Sequence, residues 1–489
     1  MRLRAAAATL VVAGVAAGLV GTAVLAGKGD GETRPRPAAS GSTLEATLTD
    51  PDGNGALQRR SGEPLRDRTE LAPASRRGRS LALMAQISDA HVRDEESPAR
   101  ALLLDRLGSP FTSTFRPHEA LSGQVLAAAV GSLNRLAPDA VLVTGDLADS
   151  AQANELGNSL AVLEGGEVDP DSGDDGYDGP QSASNPDPFI YRPEVDAPRH
   201  PGLLDRAQQR FRSPGLDAPW YPALGNHDVL VQGEAPPSAR LEQLAVGDRA
   251  LVEADTDLRL PDSFDASAVD EVLGGGLPGR TAPVPADPAR GHLAAGEVVA
   301  RLRAAGDGGG SGARLDYSFD VGPSLRAIVL DVVRREGGSD GRVSGGQVRW
   351  LGREIARAGP RWLIVVTHQP LRSSLGGRRA LALLDSSPRV VAAVSGHTHE
   401  SSLEPRRTDA GGYWLIGTPS LADFPQQTRA LRLVQTTGGL ALETWMMDTA
   451  PGGLADTARE LAFLDAQGGR PQGAAGGVAD RNARLYLSR

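Results

Sequence analysis

Aspartate, asparagine and histidine recur in this chain at the ends of short apolar runs. Asp89-Ala90-His91 follows LALMAQIS, and Gly145-Asp146 follows DAVLVT with Asp149 three residues on. Gly225-Asn226-His227-Asp228 follows WYPAL, His368 follows WLIVVT, and Gly396-His397-Thr398-His399 follows VVAAVS. Five of the eight histidines fall in this set, while His118, His200 and His292 stand outside it. Two histidines around one threonine say little alone. Five strand-like runs that each end in a nitrogen or oxygen ligand type say more, because sites in open α/β sheets form at the carboxyl ends of strands. There is no cysteine. Disulfides, thiolate metal sites and a cysteine nucleophile are excluded, and any metal must be held by His, Asp, Glu or Asn. A mixed His/Asp/Asn set is borderline in hardness and suits Mn, Fe(II), Zn or Co more than Ca.

The elements that must position these residues are readable from the same runs. LALMAQIS (81–88), DAVLVTGD (139–146), RWLIVVTH (361–368) and VVAAVSGH (390–397) have the length and continuous apolar character of buried strands. A helix is predicted over Glu119 to Leu136, with Leu121, Val125, Ala128 and Ala129 on one stripe and Pro138 beyond its end. Ser344 and Gln347 have capping-box spacing ahead of a stripe of Val348, Leu351 and Ile355. YWLIGTPS (413–420), RALRLVQ (429–435) and LALETWMM (440–447) read as antiparallel strands. Strands alternating with helices predict an α/β core.

The chain has 489 residues, 40% of them hydrophobic, with a net charge of −10. No basic stripe is present, which disfavours nucleic-acid binding through phosphate neutralisation. The start MRLR and the uncharged stretch up to Lys28 read as a signal peptide or membrane anchor over residues 1–27. The apolar part, residues 5–27, is about long enough to span a bilayer as a helix, for which roughly 20 residues are needed, so secretion and anchoring are both open. Either places the rest outside the cytoplasm. Residues 28–78 lack sustained periodicity and read as a disordered linker. The catalytic-type domain is expected over 79–450, with surface insertions at about 150–218 and 229–313 and a C-terminal tail at 451–489. The acidic run DPDSGDDGYDGP fails the EF-hand pattern, with Gly173 at its fifth position and Pro180 at its twelfth. It reads as a solvated loop.

The ordered set DxH, GDxxD, GNHD, H, GHxH resembles the signature of the calcineurin-like metallophosphoesterase superfamily. Every element is present, in order. The long insertions resemble an exported actinobacterial branch of it. The resemblance implies a four-layer α/β/β/α sandwich with two long loop insertions. It implies two divalent ions, Mn, Fe or Zn, held by Asp89, His91, Asp146, Asn226, His368, His397 and His399, with Asp146 bridging. The two histidines of GHTH would then serve different ions. It further implies hydrolysis of a phosphomono- or phosphodiester, small or polymeric, by a metal-bridging hydroxide. In that scheme His227 protonates the leaving group and Asp149 orients His227. Asp149 stands where the purple acid phosphatases have tyrosine, so an Fe(III)–tyrosinate centre is not expected. Ser150 replaces the arginine of GDxxDRG, which disfavours phosphoprotein substrates.

Other residues carry plainer readings. Asp228 is expected as a structural acid beside the site, and His118 as a surface residue at a helix start. Arg116 and Arg429 could hold a phosphate, though charge balance accounts for them equally well. A reading of a different class is a non-catalytic metal-binding surface or interaction protein that retains the fold; the complete ligand set stands against it.

Overall fold

Continuous apolar runs bury both faces of a strand, and here they build two sheets packed face to face. The structure, a computed structural model, describes residues 41–100, 116–188, 190–255, 277–467 and 475–489. The first sheet has seven strands: β1 (Arg66–Arg68), β2 (Arg77–Ile87), β3 (Ala140–Val143), β4 (Trp220–Pro222), and, from the second half of the chain, β11 (Gln427–Thr436), β12 (Gly439–Asp448) and β13 (Ala483–Ser488). The intervening six form the second sheet: β5 (Tyr317–Val321), β6 (Leu325–Val329), β7 (Trp362–Val366), β8 (Val390–Ser395), β9 (Ser402–Arg406) and β10 (Tyr413–Gly417). The orders are β1-β13-β12-β11-β2-β3-β4 and β5-β6-β7-β8-β10-β9.

In both sheets the strands that lead to the metal-type residues are parallel. β2, β3 and β4 pair in parallel with Ile87 opposite Val143 and Val143 opposite Pro222. β6, β7, β8 and β10 are parallel too, with Val366 opposite Val394 and Ser395 opposite Gly417. The carboxyl ends are therefore level, and the loops that follow open at one edge.

The run WLIVV shows how one sequence serves two cores. Ile364 and Val366 belong to the large core between the sheets, with Val391, Val394 and Trp414, whereas Leu363 and Val365 belong to an outer core. That outer core is closed by Leu351, Leu381 and Leu384 of two helices, Gly345–Arg357 and Gly377–Asp385. On the other side α1 (Ser122–Leu136) lies against β12 of the first sheet, with α2 (Ala153–Glu164) and the helix Leu454–Gln467 packed on α1. Ser344 and Gln347 form the predicted capping box. The four layers are helix, sheet, sheet, helix, as expected.

Three boundaries differ from the sequence reading. Residues 41–78 are not a linker: Ala46–Thr49 pairs with Gln58–Ser61, and β1 pairs with β13. Residues 451–489 are not a tail, since β13 pairs along β12 and buries Leu485 and Leu487. The pairing of β1 with β13 joins segments more than 400 positions apart in sequence, which local periodicity cannot report. The two insertions are only partly surface. Leu156, Leu160 and Leu163 of α2, and Val298, Val299 and Leu302 of the helix Ala295–Ala305, enter the large core. Residues 1–27, and with them the export or anchor reading, lie outside the described residues, as do residues 28–40. No described helix is long and apolar enough to cross a membrane.

Candidate metal centre

All nine residues singled out at the strand ends converge at the level edge of the two sheets. Asp89, His91, Asp146, Asp149, Asn226 and His227 come from the first sheet; His368, His397 and His399 come from the second. Asp89, His91, Asp146, His397 and His399 all have positive φ, between 43° and 67°. Non-glycine residues seldom adopt this backbone, and it clusters at functional sites. Two glycines permit the approach of the loops. A Cβ at Gly225 would overlap Asp146 Oδ1, and one at Gly396 would overlap Ser88 Oγ and Asp89 Oδ2.

The GDLAD and GNHD loops are locked together by Asp228. Its carboxylate accepts the backbone N–H groups of Asp146 (3.1 Å), Leu147 (2.8 Å), Ala148 (3.1 Å) and Gly225 (2.8 Å). In return Asp146 Oδ1 accepts the N–H of His227 at 2.9 Å. Burial and the nearby Asp146 carboxylate push the Asp228 carboxyl up to about 6. The sequence reading of Asp228 as a structural acid agrees with this geometry.

Three histidines are oriented the same way. His368 Nδ1 donates to Thr144 O (2.8 Å), His91 Nδ1 to Asp149 Oδ1 (3.0 Å) and His399 Nδ1 to Asp423 Oδ2 (2.6 Å). With Nδ1 carrying the proton, each Nε2 faces inward as a ligand nitrogen. His91 Nε2 and His399 Nε2 lie 3.2 Å apart. His368 Nε2 is 3.1 Å from Asp146 Oδ2 and 2.9 Å from Asn226 Oδ1, while His91 Nε2 is 3.8 Å from Asp146 Oδ2. His399 Nε2 is 3.5 Å from Asp89 Oδ1. Asp146 Oδ2 is buried between two imidazole nitrogens, with the ion-pair contact to His368 and no further polar partner. Ligand-type nitrogens and oxygens converging on one buried carboxylate oxygen are what a cation would satisfy once it displaces the His368 proton.

Close-set groups fall into Asp89/His91/His399 and Asp146/His368/His397. His91, Asp149 and His227 also approach one another closely. The Asp149 carboxylate, however, is taken by Arg93 Nε at 2.9 Å, by Arg100, and by Gln232 Nε2 at 3.2 Å. Burial alone would raise this carboxyl, but the two guanidinium groups hold it well below the usual range. It serves His91 as a partner rather than an ion. Burial lowers His91 to about 4 and His397 to about 3. Against the same burial, Asp146 holds His368 up at about 9, and Asp423 holds His399 up at about 10.

The structure separates His227 from the Asp149 carboxylate. His227 Nδ1 donates to the main-chain oxygen of Asp149 at 2.7 Å, and the carboxylate oxygen is 3.7 Å away. The carbonyl orients the ring, while the carboxylate orients His91. His118 is a second correction: it is buried, with Nε2 on Ala422 O at 2.7 Å, and burial lowers it to about 3. Arg116 is buried against Asp423 at 2.7 Å, and Arg429 of the first sheet bonds to Thr444 in that sheet and to Thr418 and Ser401 beside the second. Both hold the fold rather than facing the centre. His200 and His292 lie outside it, near Glu460 and Glu242.

Asp423, Gln232 and Gln369 were not legible as site residues. Gln369 Nε2 donates to Asn226 Oδ1 at 3.1 Å, and only its place beside His368 hinted at this. Arg93 does lie within the DAHVR stretch, two residues past His91.

A paired His/Asp centre at the level edge of a four-layer sandwich defines a class of metal-dependent hydrolase fold. The calcineurin-like phosphoesterase family model matches residues 84–401, and the chain belongs to that family. It is a metal-dependent phosphoester hydrolase. Among solved structures it is similar to a dimetal phosphatase from Danio rerio, at 12% identity over 76% of this chain and 97% of that one, with a TM-score of 0.39. It is also similar to a purple acid phosphatase from yellow lupin (Lupinus luteus) seeds, at 13% identity over 81% of this chain and 55% of that one, with a TM-score of 0.32. No curated protein matches the chain significantly.

Proposed function

We propose that the chain is an exported phosphohydrolase that uses two divalent ions to cleave a phosphomono- or phosphodiester. The observation that carries this reading is the buried Asp146 Oδ2, set between His368 Nε2 and His91 Nε2 where the two ligand groups meet. Asp89, His91 and His399 would hold one ion, and Asn226, His368 and His397 the other, with Asp146 shared between them. The chemistry such ions supply is Lewis-acid polarisation of the phosphoryl group and a lowered pKa for bound water.

The side chains around them hold the ligands in place and handle the proton. Asp149, Asp423 and the Thr144 carbonyl keep three ligand rings in one tautomer. His227 keeps Nδ1 on the Asp149 carbonyl, so when the ring is protonated its Nε2–H is free to pass a proton to a leaving oxygen, which leaves the ring neutral. Export rests on the N-terminal sequence alone, MRLR followed by an uncharged stretch.

The test is a paired assay of bis-p-nitrophenyl phosphate and p-nitrophenyl phosphate with manganese, repeated after chelation. Chelator-sensitive turnover with two metals per chain supports the proposal, and the ratio of rates assigns diester or monoester. Turnover that persists with all metal removed would overturn it.

A further inference from the structure

Outside the metal-type centre, Glu95 has an unmet chemical requirement. It is 4% exposed, and neither carboxylate oxygen has a hydrogen-bond partner. If ionised, it lacks a cation and donors; if neutral, its own O–H lacks an acceptor. Its charged neighbours Glu96, Glu119 and Asp94 are of like sign. The nearby cations are engaged elsewhere: Arg100 bonds to Asp149 and Glu119, Arg290 to Asp94 at 3.2 Å, and Arg280, in the wall of the adjoining cavity, to Glu253 at 3.3 Å.

Glu95 and Glu96 line a cavity of about 420 Å³, whose other walls include Tyr177, Leu251, Val252 and Val284. That volume is in the range of small-molecule pockets. An acidic end and an apolar wall suit an amphiphilic cation. The unpaired acceptors decide its type. A primary ammonium carries three N–H donors, whereas a quaternary ammonium carries none. A divalent ion is disfavoured, because it needs several close oxygen ligands. Among the described residues, close sets of three His, Asp or Glu ligand atoms occur only at the centre described above.

We infer that this cavity binds a primary alkylammonium group, with Glu95 as its counter-ion and Leu251, Val252 and Val284 along its carbon chain. Arg100 lines the same cavity and bonds to Asp149. An occupant therefore sits one side chain from the carboxylate that orients His91. The inference does not depend on the reading of the metal centre.

The experiment is calorimetric titration of the full chain, with manganese present, using n-propylammonium, tetramethylammonium and calcium as separate probes. Saturable binding of n-propylammonium is expected. Tetramethylammonium should bind at least about tenfold more weakly, and Glu95→Gln should weaken n-propylammonium by a similar factor, as loss of charge-assisted hydrogen bonds implies. Val252→Lys, at a partly buried wall position, brings its own ammonium and should abolish binding. It carries the test if Glu95→Gln does not fold. Absence of n-propylammonium binding, equal binding of tetramethylammonium, or undiminished binding by both variants overturns the inference. Calcium binding that Glu95→Gln removes, without any response to n-propylammonium, also overturns it.

Discussion

Asp423 Oδ2 accepts the Nδ1 proton of His399 at 2.6 Å, and this contact leaves Nε2 of that ring facing Asp89 Oδ1 at 3.5 Å. Arg116 bonds to the other oxygen of Asp423 at 2.7 Å. The carboxylate thus sets both the tautomer and the direction of a ring at the partly exposed mouth of the centre. Asp423→Ala should weaken manganese binding about 10–100-fold, the usual cost of removing a carboxylate behind a ligand histidine. Asp423→Asn keeps an acceptor oxygen and should lose less. Titration followed by manganese electron paramagnetic resonance reads both, and equal affinity in wild type and Asp423→Ala would count against the role.

His227 does not belong to either ligand set in the proposed function, so its loss should separate chemistry from metal binding. His227→Ala is expected to lower kcat by about 10²–10⁴, the range of general acid–base catalysis. Metal content per chain should be unchanged. A leaving group that needs no proton, such as p-nitrophenolate, should show the smaller loss. Replacing Asp149 by Asn should act differently, through His91 and metal affinity, because its carboxylate holds that ring and its carbonyl is retained.

Metal uptake should release protons. In the metal-free chain burial pulls His368 and His399 down, but the carboxylates around them prevail and hold them at about 9 and about 10. Both values lie above the ordinary 6.5. The stability these two groups contribute is therefore fully present below about pH 6.5 and is lost as pH rises through 9 to 10. His91 and His397 are already neutral at neutral pH and have no proton to give. Manganese binding near neutral pH should therefore expel protons from the first pair, and its affinity should climb with pH until they are deprotonated. Calorimetry in two buffers of different ionisation enthalpy measures this, and zero proton release would mean that His368 and His399 are already neutral in the metal-free chain.

Asp228 gives a stability prediction. Its two oxygens take four backbone N–H groups from the two loops that carry Asp146 and His227. Asparagine offers one acceptor oxygen and turns two donors toward the remaining N–H groups. Each buried donor left unpaired costs about 1–3 kcal/mol, so Asp228→Asn should lower the denaturation midpoint clearly, with metal affinity falling alongside. A midpoint equal to wild type would mean that the two loops are held by other contacts.

Much of the centre was legible because the runs that carry it are simple. WLIVV, VVAAVS and AVLV are continuously apolar, as strands buried on both faces must be, and each ends where a polar residue first stands. Asp89, His91, Asp146, Asn226, His368, His397 and His399 could be collected from those ends without knowing how the strands were ordered. The insertions were harder. The acidic, turn-rich run at 169–180 hid the helical spacing of Leu156, Leu160 and Leu163, which the structure places in the core.

By itself, then, the order of residues determined which side chains could bind metal, which runs leading to them were strands, and the absence of any thiolate chemistry. Only the tertiary structure decided what each of those side chains touches. His399 and Asp423 are 24 positions apart, His91 and Asp149 are 58, and β1 meets β13 across more than 400. Nothing in local periodicity reports such pairs, since they depend on which strand ends become neighbours after the sheets form. The same holds for His227, whose partner is a carbonyl: every residue carries that group, so only the geometry could choose it.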